Sequence, residues 1–324
     1  MSHAPHTSTN ALEDNHSIVV FVNIDWKATR HNTVAATNRN MNILKTTVRS
    51  IIRTHKPVVI CFCEVGVTSN PLTLDQMSTV SHAIKDTWHE LLQSTQLQSS
   101  FKQGDPYLTV WDSSRVHCFN FHITKCYELQ SFRTAQLFGM RAATLEVDIV
   151  NIHLASGKVS LTDAARKGCL ENILRRKSSL YDGTIGQSRS FLLGGDMNTS
   201  KERMSLIFSA LRRQRLLQSN AMPNFIVPPH GKHGDLAIAM GQAVSVACGE
   251  ATNHDNQHVP VALKLLLPDP SPDQGTTQRV RFCPDTTHPT QKEELEHART
   301  GHLRPEHYNS SVSSCAASVI AEDV

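Results

Sequence analysis

The apolar run Phe191-Leu192-Leu193 passes directly into Gly194-Gly195-Asp196-Met197-Asn198, and no other stretch constrains the chain as tightly. A short apolar run bounded by glycines reads as a buried strand that stops in a tight turn. A carboxylate and a carboxamide leave that turn side by side. The pair suits phosphodiester chemistry: the Asp takes a proton from water, and the Asn donates hydrogen bonds to a phosphate oxygen as its charge grows. Gly, Asp and Asn are also ordinary turn formers for backbone reasons, so the turn alone leaves a bare strand end open.

Further polar clusters sit at the ends of other apolar runs. Asn23-Ile24-Asp25 follows Ile18 to Val22, Glu64 follows Val58 to Cys63, and Asn151-Ile152-His153-Leu154 closes the segment that begins at Ala142. Late in the chain, Asp235 opens Leu236 to Ala239, and Asp255 and His258 precede Val259 to Leu263. Carboxylates, amides and histidines at the ends of several strands imply one convergent polar site at the rim of a sheet.

In this order the clusters resemble the endonuclease/exonuclease/phosphatase superfamily, the deoxyribonuclease I-like fold, from about Ile18 to Leu267. The most specific element is the turn at Gly195-Asp196-Met197-Asn198, which matches the family's Gly-Asp-x-Asn. The resemblance implies a four-layer α/β sandwich, two mainly antiparallel sheets face to face with helices outside. It also implies Mg²⁺, with Mn²⁺ as the alternative, held by Glu64 with Asp25 and Asn23 as auxiliaries. Such ions bind through few carboxylates and keep several waters. Asp196 is expected to orient or deprotonate the attacking water and Asn198 to fix the phosphate. His258 and His153 are expected at the scissile phosphate or in proton transfer, and Asp235 is expected to hold His153 or a metal-bound water.

One departure stands out. The family ends on Ser-Asp-His, with the Asp expected to orient the His, but Gln257 precedes His258 here. Either Asp255 reaches the imidazole through a rebuilt loop, or the orienting carboxylate is gone. For each of these His residues a packed or solvated imidazole is the competing reading, because the chain has 18 of them.

Charge is unevenly spread. Residues 1–16 carry −2 and residues 268–324 carry −4, which leaves +9 on residues 17–267 out of a net +3. A basic core favours a polyanionic partner, nucleic acid ahead of a small phosphorylated metabolite. Residues 1–16 lack an apolar run and are expected to be disordered, as is the Pro-, His- and Ser-rich stretch 268–324, which lacks apolar periodicity. The foldable domain is then 17–267. No secretory signal or span-length apolar stretch occurs, Ser2 stands where myristoylation needs glycine, and the 8 Cys lack paired spacing. These features point to free buried thiols, a cytoplasmic or nuclear location and a monomer.

Between the clusters, Thr73-Leu74-Asp75-Gln76 reads as a capping box. Thr162 is expected to cap a helix bearing Arg166, Lys167, Arg175, Arg176 and Lys177 away from its apolar face. Thr199 or Ser200 is expected to cap another, through about Leu217, that ends in Arg212-Arg213. These basic runs fit nucleic-acid contact or simple compensation of the helix dipole equally well. Tyr107–Trp111, Arg115–Phe121 and Arg141–His153 read as successive strands. The function expected is a metal-dependent phosphodiester hydrolase, an endonuclease or exonuclease on DNA or RNA. The alternatives are a phosphoinositide or other phosphate-ester phosphatase, or a non-catalytic scaffold whose site decayed at Gln257.

Overall fold

The structure, a computed structural model, describes residues 16–24, 26, 34–66, 71–128, 131–143, 145–154, 159–180, 190–214, 216, 223–228, 234–240, 244–245 and 258–266. The expectations for residues 1–15, Asp25, Asp255, Gln257 and 267–324 lie outside these.

Twelve strands and four helices occur among the described residues: β1 (His16–Asn23), α1 (Val34–His55), β2 (Val59–Cys63), α2 (Leu74–Leu92), β3 (Leu97–Phe101), β4 (Leu108–Asp112), β5 (His117–Glu128), β6 (Ser131–Ala142), β7 (Leu145–His153), α3 (Val159–Leu180), β8 (Ser190–Asp196), α4 (Lys201–Arg213), β9 (Asn224–Ile226), β10 (Asp235–Met240), β11 (Val244–Ser245) and β12 (Val261–Leu266). They form two six-stranded sheets, in the orders β11-β12-β1-β2-β4-β3 and β5-β6-β7-β8-β10-β9. Only β1 with β2 and β7 with β8 pair in parallel; every other pairing is antiparallel. The result is the four-layer α/β sandwich.

The apolar runs are continuous rather than alternating because the central strands are buried on both faces. In β1, Val19 and Phe21 face the second sheet, where they meet Phe138, Ile149 and Leu192. Val20 and Val22 face outward onto Leu44, Val48, Ile84 and Trp88 of α1 and α2. The second sheet repeats this, turning Val150, Ile152 and Leu193 out against α3 and α4.

Local signals act as the residue types dictate. The Thr73 hydroxyl accepts the Gln76 N–H while the Gln76 carboxamide accepts the Thr73 N–H, completing the capping box of α2. Ser200, not Thr199, caps α4. α3 begins at Val159, so Thr162 lies inside the helix rather than at its cap. Among the described residues no helix is long and apolar enough to cross a membrane.

Chain direction then decides where the functional groups go. β1, β2, β7 and β8 all end at one rim, and β10 begins there. α3 and α4 start at that rim and run back along the sheet, α4 for about 20 Å. Their basic C-terminal ends, Arg175 and Arg212-Arg213 among them, therefore point to the opposite rim.

Candidate active site

Register assembles the polar rim. β8 lies between β7 and β10, and Asp196 is the Cα partner of both His153 and Asp235. In the facing sheet Asn23 is the partner of Cys63, one residue before Glu64. Two glycines let these rows approach. A Cβ on Gly194 would lie 2.3 Å from the Phe21 ring across the interface. Gly195 has φ +131, and a Cβ there would lie 2.0 Å from the Ile152 carbonyl oxygen. Glu64 and Asn198 turn their strand ends with φ of 55 and 49, values that few residues other than glycine, Asn and Asp adopt readily.

Asp196 is the hub. It is only 2% exposed. Its Oδ1 accepts the Asn198 N–H at 2.8 Å, and its Oδ2 accepts an Nδ2–H of Asn23 at 3.1 Å from the other sheet. His153 Nε2 and His258 Nδ1 stand 3.7 and 3.8 Å from the same Oδ2. Burial pushes the Asp196 carboxyl up to about 7, with Asp235 next in effect, against the opposing pull of the Asn198 N–H and His258. Under the rim, burial together with Asp196 and Glu64 holds the Cys63 thiol well above its ordinary value, so it stays protonated.

Each imidazole has its own carboxylate. His153 Nδ1 lies 3.1 Å from Glu64 Oε1. His258 Nδ1 lies 3.0 and 3.2 Å from the two Asp235 oxygens, and Asp235 Oδ2 also accepts the Val259 N–H at 3.0 Å. Asp235, expected to hold His153 or a metal-bound water, meets the imidazole of His258 and not that of His153. With β8 between them, Asp235 and His153 sit two strand spacings apart, roughly 10 Å. His258, whose orientation was expected from Asp255 or lost with the carboxylate missing at Gln257, is hydrogen-bonded at Nδ1 to Asp235, while Asp255 and Gln257 lie outside the described residues. Asn198 also differs from expectation in one respect: its Nδ2 donates to the Leu154 carbonyl at 2.8 Å, so part of its donor capacity anchors the turn.

Of the residues named from sequence, Asn23, Glu64, His153, Asp196, Asn198, Asp235 and His258 meet at this rim, and Asp25 and Asp255 lie outside the described residues. Two contributors escaped sequence reasoning. The buried Tyr107 hydroxyl donates to the Thr134 carbonyl and accepts the His153 N–H at 3.1 Å, tying β7 to the other sheet. Arg166, grouped by sequence with surface cations, is buried and donates to the Asn198 carbonyl. A lone aromatic at a strand start carries no such signal. The position of Arg166 about two turns into the helix that follows the His153 cluster is the only hint available.

The donor set suits a hard or borderline cation. Asp196, Asp235 and His258 offer ligand atoms that all lie within 4.8 Å of one another, and Glu64 adds a carboxylate at the open edge. Two adjoining carboxylates, one of them buried enough to be held near neutrality, present the repulsion that a divalent ion relieves.

No protein-family model matches the sequence, and no curated protein does. Solved structures match over most of the chain. The endonuclease/exonuclease/phosphatase from Bacteroides vulgatus aligns at a TM-score of 0.53 with 12% identity, over 78% of this chain and 99% of that one. D. rerio TDP2 complexed with a single-strand DNA product gives 0.52 with 12% identity, over 78% and 99%. The human Nocturnin catalytic domain with a bound sulfate anion gives 0.51 with 14% identity, over 78% and 94%. The chain has the endonuclease/exonuclease/phosphatase fold, the deoxyribonuclease I-like sandwich.

Proposed function

We propose that residues 17–267 form a divalent-metal-dependent phosphodiester hydrolase acting on DNA or RNA. The observation that carries the reading is the convergence on Asp196 of two separately anchored imidazoles, one with Glu64 and one with Asp235. A scaffold has no use for a buried carboxylate held near neutrality by its neighbours, because that arrangement costs stability (see Discussion). Retention of both His–carboxylate pairs also weighs against decay at Gln257. Nucleic acid is favoured over a phosphoinositide by the +9 charge of residues 17–267 and by the DNA product bound to the structurally similar D. rerio TDP2.

The chemistry follows from the contacts. Asp196, whose carboxyl burial pushes up to about 7, is matched to accept a proton from water near neutral pH. The Asn198 N–H and the Asn23 amide hold its two oxygens in place, so the base does not have to be oriented at the moment of reaction. Asp235 fixes the ring of His258 through Nδ1, which directs Nε2 away from the carboxylate and toward the position a phosphate takes. Glu64 fixes the ring of His153 through Nδ1, which turns its Nε2 toward Asp196 Oδ2, 3.7 Å away. Of the groups able to hold a cation, Asp196, Asp235 and His258 are taken up by proton transfer in this reading, so Glu64 with Asn23 and Asp25 would hold Mg²⁺ or Mn²⁺, which when bound polarises a phosphoryl oxygen and stabilises the leaving oxyanion.

Incubation of the purified chain with labelled single- and double-stranded DNA, RNA and a phosphoinositide, with Mg²⁺, Mn²⁺ or EDTA, tests the reading. Metal-dependent cleavage of DNA or RNA is expected. Release of phosphate from the phosphoinositide alone would move the chain to the phosphatase alternative, and no turnover of any substrate would leave the scaffold.

A further inference from the structure

Arginine is almost never fully buried unless its charge is paired, and Arg166 is 2% exposed. Its Nη1 donates to Asp163 Oδ1 at 2.7 Å, one turn earlier on α3, and its Nη2 donates to the backbone carbonyl of Asn198. Asp163 also stands 3.5 Å from Arg203 in the first turn of α4. A guanidinium taken out of water at this depth is a poor way to gain stability, since an apolar side chain of similar volume usually does as well. What it offers instead is geometry, two planar donors aimed at fixed acceptors.

The acceptor it grips is at the centre of the site. Asn198 is left-handed at φ 49, its N–H is given to Asp196 Oδ1, and its carboxamide is given to Leu154. With the carbonyl held by Arg166, the peptide groups on either side of the Asn198 Cα are both fixed. Release of the carbonyl leaves the Asn198 residue free to relax toward commoner backbone angles, which withdraws the N–H from Asp196. We propose that Arg166 is a positioning residue that sets the Asp196 carboxylate and the Asn198 carboxamide through the Asn198 backbone, coupling the second turn of α3 and the first turn of α4 to the reacting groups.

The activity readout rests on the hydrolase reading; the exchange readout does not. R166M is expected to lower kcat about 100-fold with KM changed by less than about threefold, the pattern of a misplaced rather than a missing group. R166K keeps one donor for the carbonyl and is expected to recover to within about tenfold of wild type. By hydrogen exchange with mass spectrometry, the Asn198 amide should open at least about tenfold faster in R166M, while Leu192 and Ile238 in the strands beneath stay protected. Wild-type kcat with a protected Asn198 amide overturns the proposal, and so does faster exchange along all of β8 with activity falling in proportion. If R166M does not fold, R166K carries both measurements. A wild-type chain that cleaves nothing defeats the hydrolase reading, and the exchange data alone then decide the role of Arg166.

Discussion

Asp196→Asn should make this protein more stable at neutral pH while removing its activity. Burial and Asp235 raise the folded-state pKa of Asp196 from an ordinary value near 3.8 to about 7. A raised carboxyl pKa means that the fold prefers the protonated form, so the contribution of Asp196 to stability is fully present below about 3.8 and is lost as pH rises to 7. Over that window the loss runs at about 1.4 kcal/mol per pH unit and levels off at about 4 kcal/mol. Asparagine does not ionise and escapes the loss. Its own penalty is local: one amide oxygen still accepts the Asn198 N–H, but the amide nitrogen then faces the Asn23 donor where Oδ2 stood, at a cost of about 1–2 kcal/mol. The net gain is about 2–3 kcal/mol at pH 7 to 8, or a rise in Tm of about 5–10 °C for a domain of this size. Thermal unfolding in EDTA from pH 4 to 8.5 measures it directly. The signature is the pH dependence, with no gain near pH 4 and a gain that grows up to 7 and then holds. A Tm difference that is negative at pH 8, or equal at pH 4 and pH 8, would refute the raised pKa and with it the view of Asp196 as a base tuned to neutrality.

Other expectations follow from the same contacts. Asp235→Asn should lower kcat by about 10²–10³-fold, and combining it with His258→Ala should be no worse than His258→Ala alone, since the two act as one unit; multiplied losses would assign them separate roles. Gly195→Ala places a Cβ 2.0 Å from the Ile152 carbonyl at a φ of +131, so urea unfolding should show a loss above about 3 kcal/mol, and a loss under about 1 kcal/mol would mean that β8 tolerates a shift. Reversing charge with R212E and R213E together should leave nucleic-acid affinity and its salt slope unchanged, because the end of α4 faces the opposite rim; a shallower slope in a binding titration would show that this rim takes part.

Which residues meet at the rim was largely legible in the sequence, because most of them are polar residues that close or open apolar runs and so sit at strand ends. Pairing was not. A linear chain shows that Asp235 opens a strand but not that the strand lies beside β8 and away from β7, so its partner was misread as His153 when it is His258. β6 was missed for a related reason. Its Thr134 and Gln136 are polar yet buried: the Tyr107 hydroxyl donates to the Thr134 carbonyl, and the Thr109 hydroxyl donates to Gln136 Oε1 at 2.6 Å. Such a strand lacks the apolar alternation that identifies one. Arg166 looked like a surface cation because residue type reports charge and not burial. The capping box at Thr73 was read down to its hydrogen bonds, since that signal is local to four residues.

The geometry also explains how a rim of this kind tolerates wide divergence in sequence, the fold being shared with structures only 12–14% identical over 78% of the chain. His153, Asp196 and Asp235 need no fixed separation along the chain; they need to be Cα partners in one row across β7, β8 and β10. A slip of one residue in β8 would put Met197 in that row and turn Asp196 to the other face. Gly194 and Gly195 resist such a slip from two directions. Only a glycine fits under the Phe21 ring at 194, and only a glycine takes the backbone angle beside the Ile152 carbonyl at 195. Any residue moved into either place would clash with the opposite sheet or with the neighbouring strand. The acids of the site could be exchanged for amides with the fold intact, as expected for Asp196→Asn, whereas the two glycines that set their register could not. In this chain the turn that carries Asp196 is a stricter structural requirement than the Asp196 carboxylate itself.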